Sequence, residues 1–228
     1  MSSSYGLNIP TTNLQLLLDA SNPKSYPGSG TTWYDVSGNN KHFTWSGVSY
    51  TSAGSRSYFS TNGFTCTGPA SNSFNINNGT GYTIITVFNT QTFNSNSFFK
   101  WAGSDAYGRG FFMHPGWSNY TLYWDQGGCC NADQRLQVTY DSTTLTNFQV
   151  WAFRSRLYDR YQFKNGVAQG SSSTYAANIN LTATAASVAN SENTNWDARL
   201  AYFALYNTGL DDSSIFQISS ALQGRFGV

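Results

Sequence analysis

Charged side chains are scarce in this sequence of 228 residues: Asp, Glu, Lys and Arg together make up 10% of it, whereas about a quarter is usual. Twelve basic and eleven acidic residues leave a net charge of +1. There is therefore no basic field for nucleic acid and no lysine run for a membrane surface. We predict neither a nucleic-acid partner nor a membrane partner.

Glutamate is nearly absent, since Glu192 is the only one. Most glycosidases need two closely placed carboxylates, one to protonate the leaving oxygen and one to act as nucleophile or base. No Glu-x-Asp-x-x-Glu arrangement exists here, and Asp211-Asp212 is better explained as the cap of a helix. We therefore expect no enzymatic activity and no catalytic residue. A glycoside hydrolase stays as a distant third hypothesis, because inverting pairs can come from distant strands.

Cysteine and histidine are also few. Cys66, Cys129 and Cys130 form an odd count, and adjacent cysteines pair poorly, so we expect small buried hydrophobic residues rather than a disulfide framework. His42 and His114 show no metal-binding spacing. The sequence thus predicts no metal site and no cofactor.

Long apolar runs are missing as well. The N-terminal residues lack a basic segment followed by an apolar one, and no run approaches the length of a membrane span. Together with the few cysteines, this predicts synthesis in a reducing cytoplasm.

Aromatic residues and strand patterns are what the sequence does contain: 17% of the residues are Phe, Trp or Tyr. Short segments rich in β-branched and aromatic residues predict strands. They lie at residues 14–18, 57–61, 82–89, 97–101, 110–114, 121–125, 136–140, 148–154 and 160–164. Helical spacing predicts one helix near residues 212–223, capped by Asp211 and ended by Gly224. We predict an all-β, two-sheet antiparallel jelly-roll sandwich with a short C-terminal helix, forming a single domain over residues 1–228.

Two segments carry a resemblance to a known family. Residues 16–39, with Asp19, Trp33 and Asp35, and the closing segment 201–210 resemble the laminin-G-like, concanavalin A-like jelly roll found in structural proteins of phages and large DNA viruses. The resemblance implies a virion structural protein, a minor capsid or decoration subunit located in the virion, with other capsid or virion proteins as partners. The alternative is a glycan-binding module for host attachment, with host glycans as partners.

The long turn-rich arm, about residues 19–40, has two interpretations. Asp19 and Asp35 could ligate calcium, which favours carboxylates and carbonyls from loops. They could instead accept backbone N–H groups and fasten the arm, with Trp33 packing it onto the sandwich. We favour the second interpretation.

A hairpin loop holds the candidate ligand-binding residues Trp117, Asn119, Tyr120 and Asp125. Aromatic faces in loops can stack on sugar rings, and the Asn and Asp side chains could hydrogen-bond hydroxyl groups. The alternative is ordinary packing, because Tyr120 shares strand parity with Leu122.

Two arginines lie close together at the end of the predicted strand 148–154. Arg154 and Arg156 would point to one face of a strand. They could form a solvated face or an exposed partner interface, since arginine binds carboxylates in a bidentate way.

Overall fold

The computed structural model describes residues 9–76, 80–93, 97–104, 108–156, 158–172, 179–189 and 197–228. Glu192 lies outside the described residues. Within them, no helix combines the length and the apolar character that a membrane crossing requires.

Sixteen strands are present in the described residues. In chain order they are β1 (Leu14–Asp19), β2 (Thr32–Trp33), β3 (Phe43–Trp45), β4 (Tyr50–Thr51), β5 (Tyr58–Ser60), β6 (Cys66–Ala70), β7 (Tyr82–Thr90), β8 (Lys100–Ala102), β9 (Arg109–His114), β10 (Thr121–Gln126), β11 (Arg135–Thr139), β12 (Gln149–Ser155), β13 (Arg160–Lys164), β14 (Val167–Ser172), β15 (Ala185–Ala189) and β16 (Ala198–Tyr206). Two α-helices, α1 (Ser142–Thr146) and α2 (Asp212–Phe226), and two 3-10 turns, Gly54–Arg56 and Ser71–Phe74, complete the elements.

The strands form two antiparallel sheets that face each other. The first sheet has the order β14-β13-β12-β7-β16-β5-β4, and β1 also pairs with β16. The second sheet has the order β11-β10-β9-β8-β15-β6-β3-β2. This is the all-β sandwich that the strand pattern predicts.

The main core lies between the sheets and is strongly aromatic. Trp33, Trp101, Trp124 and Phe203 all belong to it and are fully buried. A second apolar cluster lies on the outer face of the first sheet. There Ile215, Ile218 and Leu222 of α2 cover the outward residues of β7, β12 and β16. The sandwich therefore buries apolar residues on both faces of its first sheet.

The C-terminal helix begins where the sequence predicts and ends later. The Asp211 carboxylate accepts the Ser214 N–H, so Asp211 is the cap. The helix continues through Gly224 to Phe226 and is capped by Gly227, whose φ of +64° lies in the left-handed region that favours glycine. The prediction that Gly224 ends the helix is wrong, because Leu222 and Phe226 both pack on the sheet. The short helix α1 was not expected.

Backbone hydrogen bonds to two aspartates fasten the arm, as the favoured interpretation predicts. The Asp35 carboxylate accepts N–H groups of Leu17, Ser37 and Lys41 at 3.0, 2.9 and 3.0 Å. Trp33 is fully buried against Phe59, with ring centroids 4.7 Å apart.

Asp19, the other aspartate of the arm, also contacts helix α2. Its carboxylate accepts the Ser21 N–H at 2.9 Å. Arg225 of α2 forms an ion pair with it, 2.6 Å from Nη1 to Oδ2. Burial raises the pKa of Asp19, and Arg225 partly opposes that shift. The start of the arm is thereby tied to the end of the chain.

Candidate ligand-binding site

A hairpin of the second sheet builds the candidate site. Strands β9 and β10 pair antiparallel, with Tyr123 opposite His114 and Asp125 opposite Phe112. Neighbouring residues on a strand point to opposite faces. Because Met113 and Trp124 belong to the core between the sheets, these four side chains lie on the outer face of the second sheet.

Asp125 is the centre of this outer face. Its carboxylate is 0% exposed. It accepts hydrogen bonds from Arg135 Nε at 2.5 Å, Arg135 Nη2 at 2.7 Å and Arg109 Nη1 at 2.7 Å. His114 Nε2 lies 4.0 Å from the same carboxylate. Burial lowers the pKa of Arg135, but hydrogen bonding and attraction to Asp125 outweigh it, so this pKa is raised.

Aromatic rings surround the charged centre. The Arg109 guanidinium lies 4.6 Å from the Phe112 ring centroid, and the Arg135 guanidinium lies 4.6 Å from that of Tyr123. The Trp117 ring packs edge-to-face on His114 at 4.8 Å and on Tyr123 at 5.9 Å. We call this set the Asp125 cluster. It comprises Arg109, Phe112, His114, Trp117, Tyr123, Asp125 and Arg135.

The turn between β9 and β10 presents Trp117 at one end of the cluster. Trp117 N–H donates to the Thr121 carbonyl at 3.0 Å, and Tyr120 N–H donates to the Trp117 carbonyl at 2.8 Å. Asn119 accepts the Thr121 N–H and donates to the Tyr123 hydroxyl at 3.2 Å. Trp117 and Tyr123 are half-buried, so parts of both rings reach solvent. The turn therefore holds an aromatic pair and an amide side by side.

One of the four predicted ligand-binding residues, Asp125, has another environment than the sequence suggests. Asp125 cannot offer its carboxylate to a ligand, because it is buried and two guanidinium groups occupy it. Tyr120 is 40% exposed, with φ of +60°, so the alternative of core packing is wrong for it and its part in ligand binding stays a prediction. Its ring packs on Phe93 at 4.9 Å. The structure brings Trp117 and Asn119 together beside Tyr123, and Tyr120 lies in the same turn.

Four members of the cluster, Arg109, Phe112, Tyr123 and Arg135, are not among the predicted site residues, and His114 is considered in the sequence analysis only for metal binding. A usable signal was present. Phe112, His114, Tyr123 and Asp125 alternate with core residues on two strands joined by one turn, so they had to share a face. The two arginines come from β9 and β11, the strands on either side of β10, and only the sheet pairing brings them to Asp125.

The predicted arginine interface is largely internal. Arg154 is only 3% exposed, pairs with Asp212 and donates to the Leu210 carbonyl at 3.3 Å. Arg156 donates to the same carbonyl at 2.9 Å. The two residues do share a face, as predicted, but Arg154 is not an exposed anchor. They hold the turn between β16 and α2, and a role of the half-buried Arg156 toward a partner stays a prediction.

The loop from β10 to β11 corrects the cysteine prediction. Cys129 and Cys130 form a disulfide, with Cα atoms 3.7 Å apart. Cys129 is half-buried and Cys130 is exposed, whereas Cys66 is buried as expected. In the same loop Gly127, Gly128 and Cys130 all have positive φ, at +63°, +136° and +84°. In the part of the chain that the structure describes, no group of three His, Cys, Asp or Glu side chains could hold a metal ion.

Comparisons with known proteins identify the fold. No protein-family model and no curated protein sequence matches this chain. Among solved structures, Trypanosoma rangeli sialidase matches 95% of this chain and 33% of its own, at a TM-score of 0.64 and 14% identity. The binding domain of Paraclostridial Mosquitocidal Protein 1 matches 92% of this chain and 52% of its own, at 0.67 and 15%. The binding domain of botulinum neurotoxin serotype D/C matches 93% and 53%, at 0.69 and 14%.

These likenesses define the class of protein. The chain is a jelly-roll-type β-sandwich of the kind found in the sialidase and in the toxin binding domains. It spans about a third of the sialidase and about half of each toxin binding domain. At this identity the likeness shows the fold alone, so the relation to virus structural proteins stays a prediction.

Proposed function

We propose that this chain is a non-catalytic carbohydrate-binding module, and that a sugar binds at the Trp117 end of the Asp125 cluster. The single observation that carries the proposal is the half-exposed pair of Trp117 and Tyr123 rings, fixed perpendicular to each other beside the Asn119 amide. Binding sites combine apolar ring surface with a few fixed polar groups. The buried charges of the cluster hold this surface rigid before any ligand arrives, which lowers the entropy cost of binding.

The neighbours support this class of function. One structure of the sialidase holds sialic acid, and the match covers 98% of this chain and 35% of that one, at a TM-score of 0.64. The two toxin neighbours are binding domains by name. The low charge of the chain fits too, because a surface of Ser, Thr, Asn and Gly exchanges hydrogen bonds with hydroxyl groups without desolvating ions.

The expected effect of Trp117→Ala is a loss of glycan affinity of about ten- to hundredfold. Burying an aromatic or large aliphatic side chain contributes about 1.5–3 kcal/mol, and each 1.4 kcal/mol is tenfold in Kd. The measurement is a glycan array, followed by titration calorimetry with the best ligand. Phe216→Ala is the matched control, since Phe216 is an exposed ring on α2, on the other sheet. Equal losses for both variants, or none for Trp117→Ala, would contradict the assignment.

The absence of catalysis is part of the proposal. Asp141 and Asp211 cap helices, and Asp125 is enclosed by arginines. These roles leave those three carboxylates unsuited to act as an acid–base pair. We expect no new reducing ends when the protein is incubated with host polysaccharides and β-glucans. Turnover that a single Asp→Asn substitution abolishes would refute this part.

The place of the module in a virion rests on the resemblance of residues 16–39 and stays a prediction, as do capsid partners. Counting copies per purified particle tests it. Dozens or hundreds of copies indicate a decoration subunit, a few copies indicate a receptor-binding position, and none contradicts a virion role.

A further inference from the structure

The disulfide loop adjoins the proposed binding surface directly. The loop spans residues 127–134, between β10 and β11. The loop joins the end of β10 to the start of β11. In that strand pair Asp125 lies opposite Arg135. Cys130 is exposed and Cys129 half-buried, so a reductant in solution can reach the disulfide. Cys66 is fully buried in the core.

Backbone hydrogen bonds connect the loop to the arginine that holds Asp125. The Asn131 carbonyl accepts the N–H of Gln134 at 3.0 Å and of Arg135 at 2.8 Å. The Gln134 carbonyl accepts the Gln126 N–H at 2.8 Å. A single hydrogen bond therefore links Asn131, which follows Cys130 in the chain, to Arg135.

The loop is also held from the first sheet. The buried Arg160 of β13 donates from Nη2 to the Ala132 carbonyl at 2.7 Å. Burial lowers the pKa of Arg160. The Gln134 amide covers Gly128 so closely that a Cβ there would lie 2.7 Å from its nitrogen. The loop that carries the disulfide is thus held by Arg160 of the first sheet and packed against its own Gln134 side chain.

Cys130 holds a backbone conformation that side-chain-bearing residues rarely adopt, with φ of +84°. Cys130 also belongs to the disulfide ring with Cys129. We therefore expect that opening the ring lets Cys130 return to negative φ and displaces the carbonyl of the next residue, Asn131.

We propose that Cys129–Cys130 is a reversible thiol–disulfide site whose redox state sets the position of Arg135 and so the affinity of the ligand surface. This extends the proposed function, because the ligand surface is the one assigned above. The co-reactant is a small or protein dithiol. Its thiolate attacks one sulfur of the disulfide and forms a mixed disulfide, and its second thiol then releases the protein thiol. Two protein thiols form, the dithiol becomes a disulfide, and two electrons are transferred.

Thiol counting tests the disulfide itself. The full chain is unfolded in denaturant with a maleimide, either directly or after treatment with dithiothreitol. We expect one labelled cysteine without reduction, Cys66, and three after it. Three labelled cysteines without reduction would overturn the proposal. Cys66→Ala is the matched control and should give none and two.

Hydrogen exchange tests the coupling without any glycan. We expect faster amide exchange at Gln126, Gln134 and Arg135 in the reduced protein. The Asn165 N–H, which donates to the Val150 carbonyl at 2.7 Å in the hairpin of the first sheet, should not change. Equal exchange in the two redox states would overturn the proposal. The double variant Cys129→Ser, Cys130→Ser should exchange like the reduced protein with or without dithiothreitol.

Glycan affinity is the last readout. We expect reduction to weaken binding about tenfold, the effect of losing one charge-assisted hydrogen-bond arrangement. Unchanged affinity in a protein whose loop amides do respond would remove the link to binding. If the oxidised protein binds no glycan at all, the proposed function fails, and the thiol and exchange results still decide the redox site.

Discussion

Trp33→Ala should lower the free energy of unfolding by about 3–5 kcal/mol, the range for removal of large buried aromatic side chains. Trp33 is fully buried, 4.7 Å from the Phe59 ring centroid and 6.0 Å from that of Trp45. It is the residue by which the arm enters the core between the sheets. Its loss leaves a cavity in a layer of rigid rings that cannot collapse into it.

The neighbouring Tyr34→Ala is the matched control, because Tyr34 is 41% exposed. Its effect should stay within about 1 kcal/mol, since surface substitutions away from special features cost little. Denaturant unfolding followed by tryptophan fluorescence and by circular dichroism measures both variants. A loss below about 1.5 kcal/mol for Trp33→Ala would show that the arm contributes little to the stability of the sandwich.

The sequence predicts the sandwich well because its signals are local. A strand such as β7 is a run of β-branched and aromatic residues, and Asp211 sits just before an amphipathic segment. Both features appear in the structure as β7 (Tyr82–Thr90) and the capped helix α2. The roles of Trp33 and Asp35 could also be predicted, because few other side chains in this Pro- and Gly-rich arm can fasten it to the sandwich.

The candidate site could be predicted only in part, because it depends on register and on burial. Trp117 and Asn119 lie in one turn, which the sequence shows. The enclosure of Asp125 needs Arg109 and Arg135 from two other positions on the sheet. Likewise, Arg154 is buried against the rings of Tyr161 and Phe163, and it pairs with Asp212, 58 residues later. No local pattern distinguishes such a buried arginine from an exposed one.

The adjacent cysteines show a different limit. Whether Cys129 and Cys130 can join depends on the backbone angles of that one loop. The two preceding glycines make the required turn accessible, yet they fit many other turns equally well. The disulfide is therefore a property of the folded loop rather than of the Cys-Cys pair alone.

Asp125→Ala should be the most damaging single change at the candidate site. The carboxylate accepts three N–H groups from two guanidiniums while it is fully buried. Its removal leaves Arg109 and Arg135 close together without a counter-charge. Breaking a buried ion pair in this way costs about 3–5 kcal/mol. Both arginine side chains keep some contact with solvent, 12% and 20% exposed, so the lower end of about 3 kcal/mol is expected.

Asp125→Ala should also lower glycan affinity. Arg135 would leave the Tyr123 ring, and the Trp117–Tyr123 pair would lose its support. Asp125→Asn should be milder than Asp125→Ala, since the amide oxygen still accepts one of the arginine N–H groups. Phe216→Ala is again the control, because Phe216 is 58% exposed on α2, away from the cluster. Its cost should lie within about 1 kcal/mol. A double-mutant cycle of Asp125→Ala with Arg135→Met measures the coupling. A coupling energy near zero would mean that the carboxylate does not hold Arg135, and the Asp125 cluster would then be only a set of neighbours.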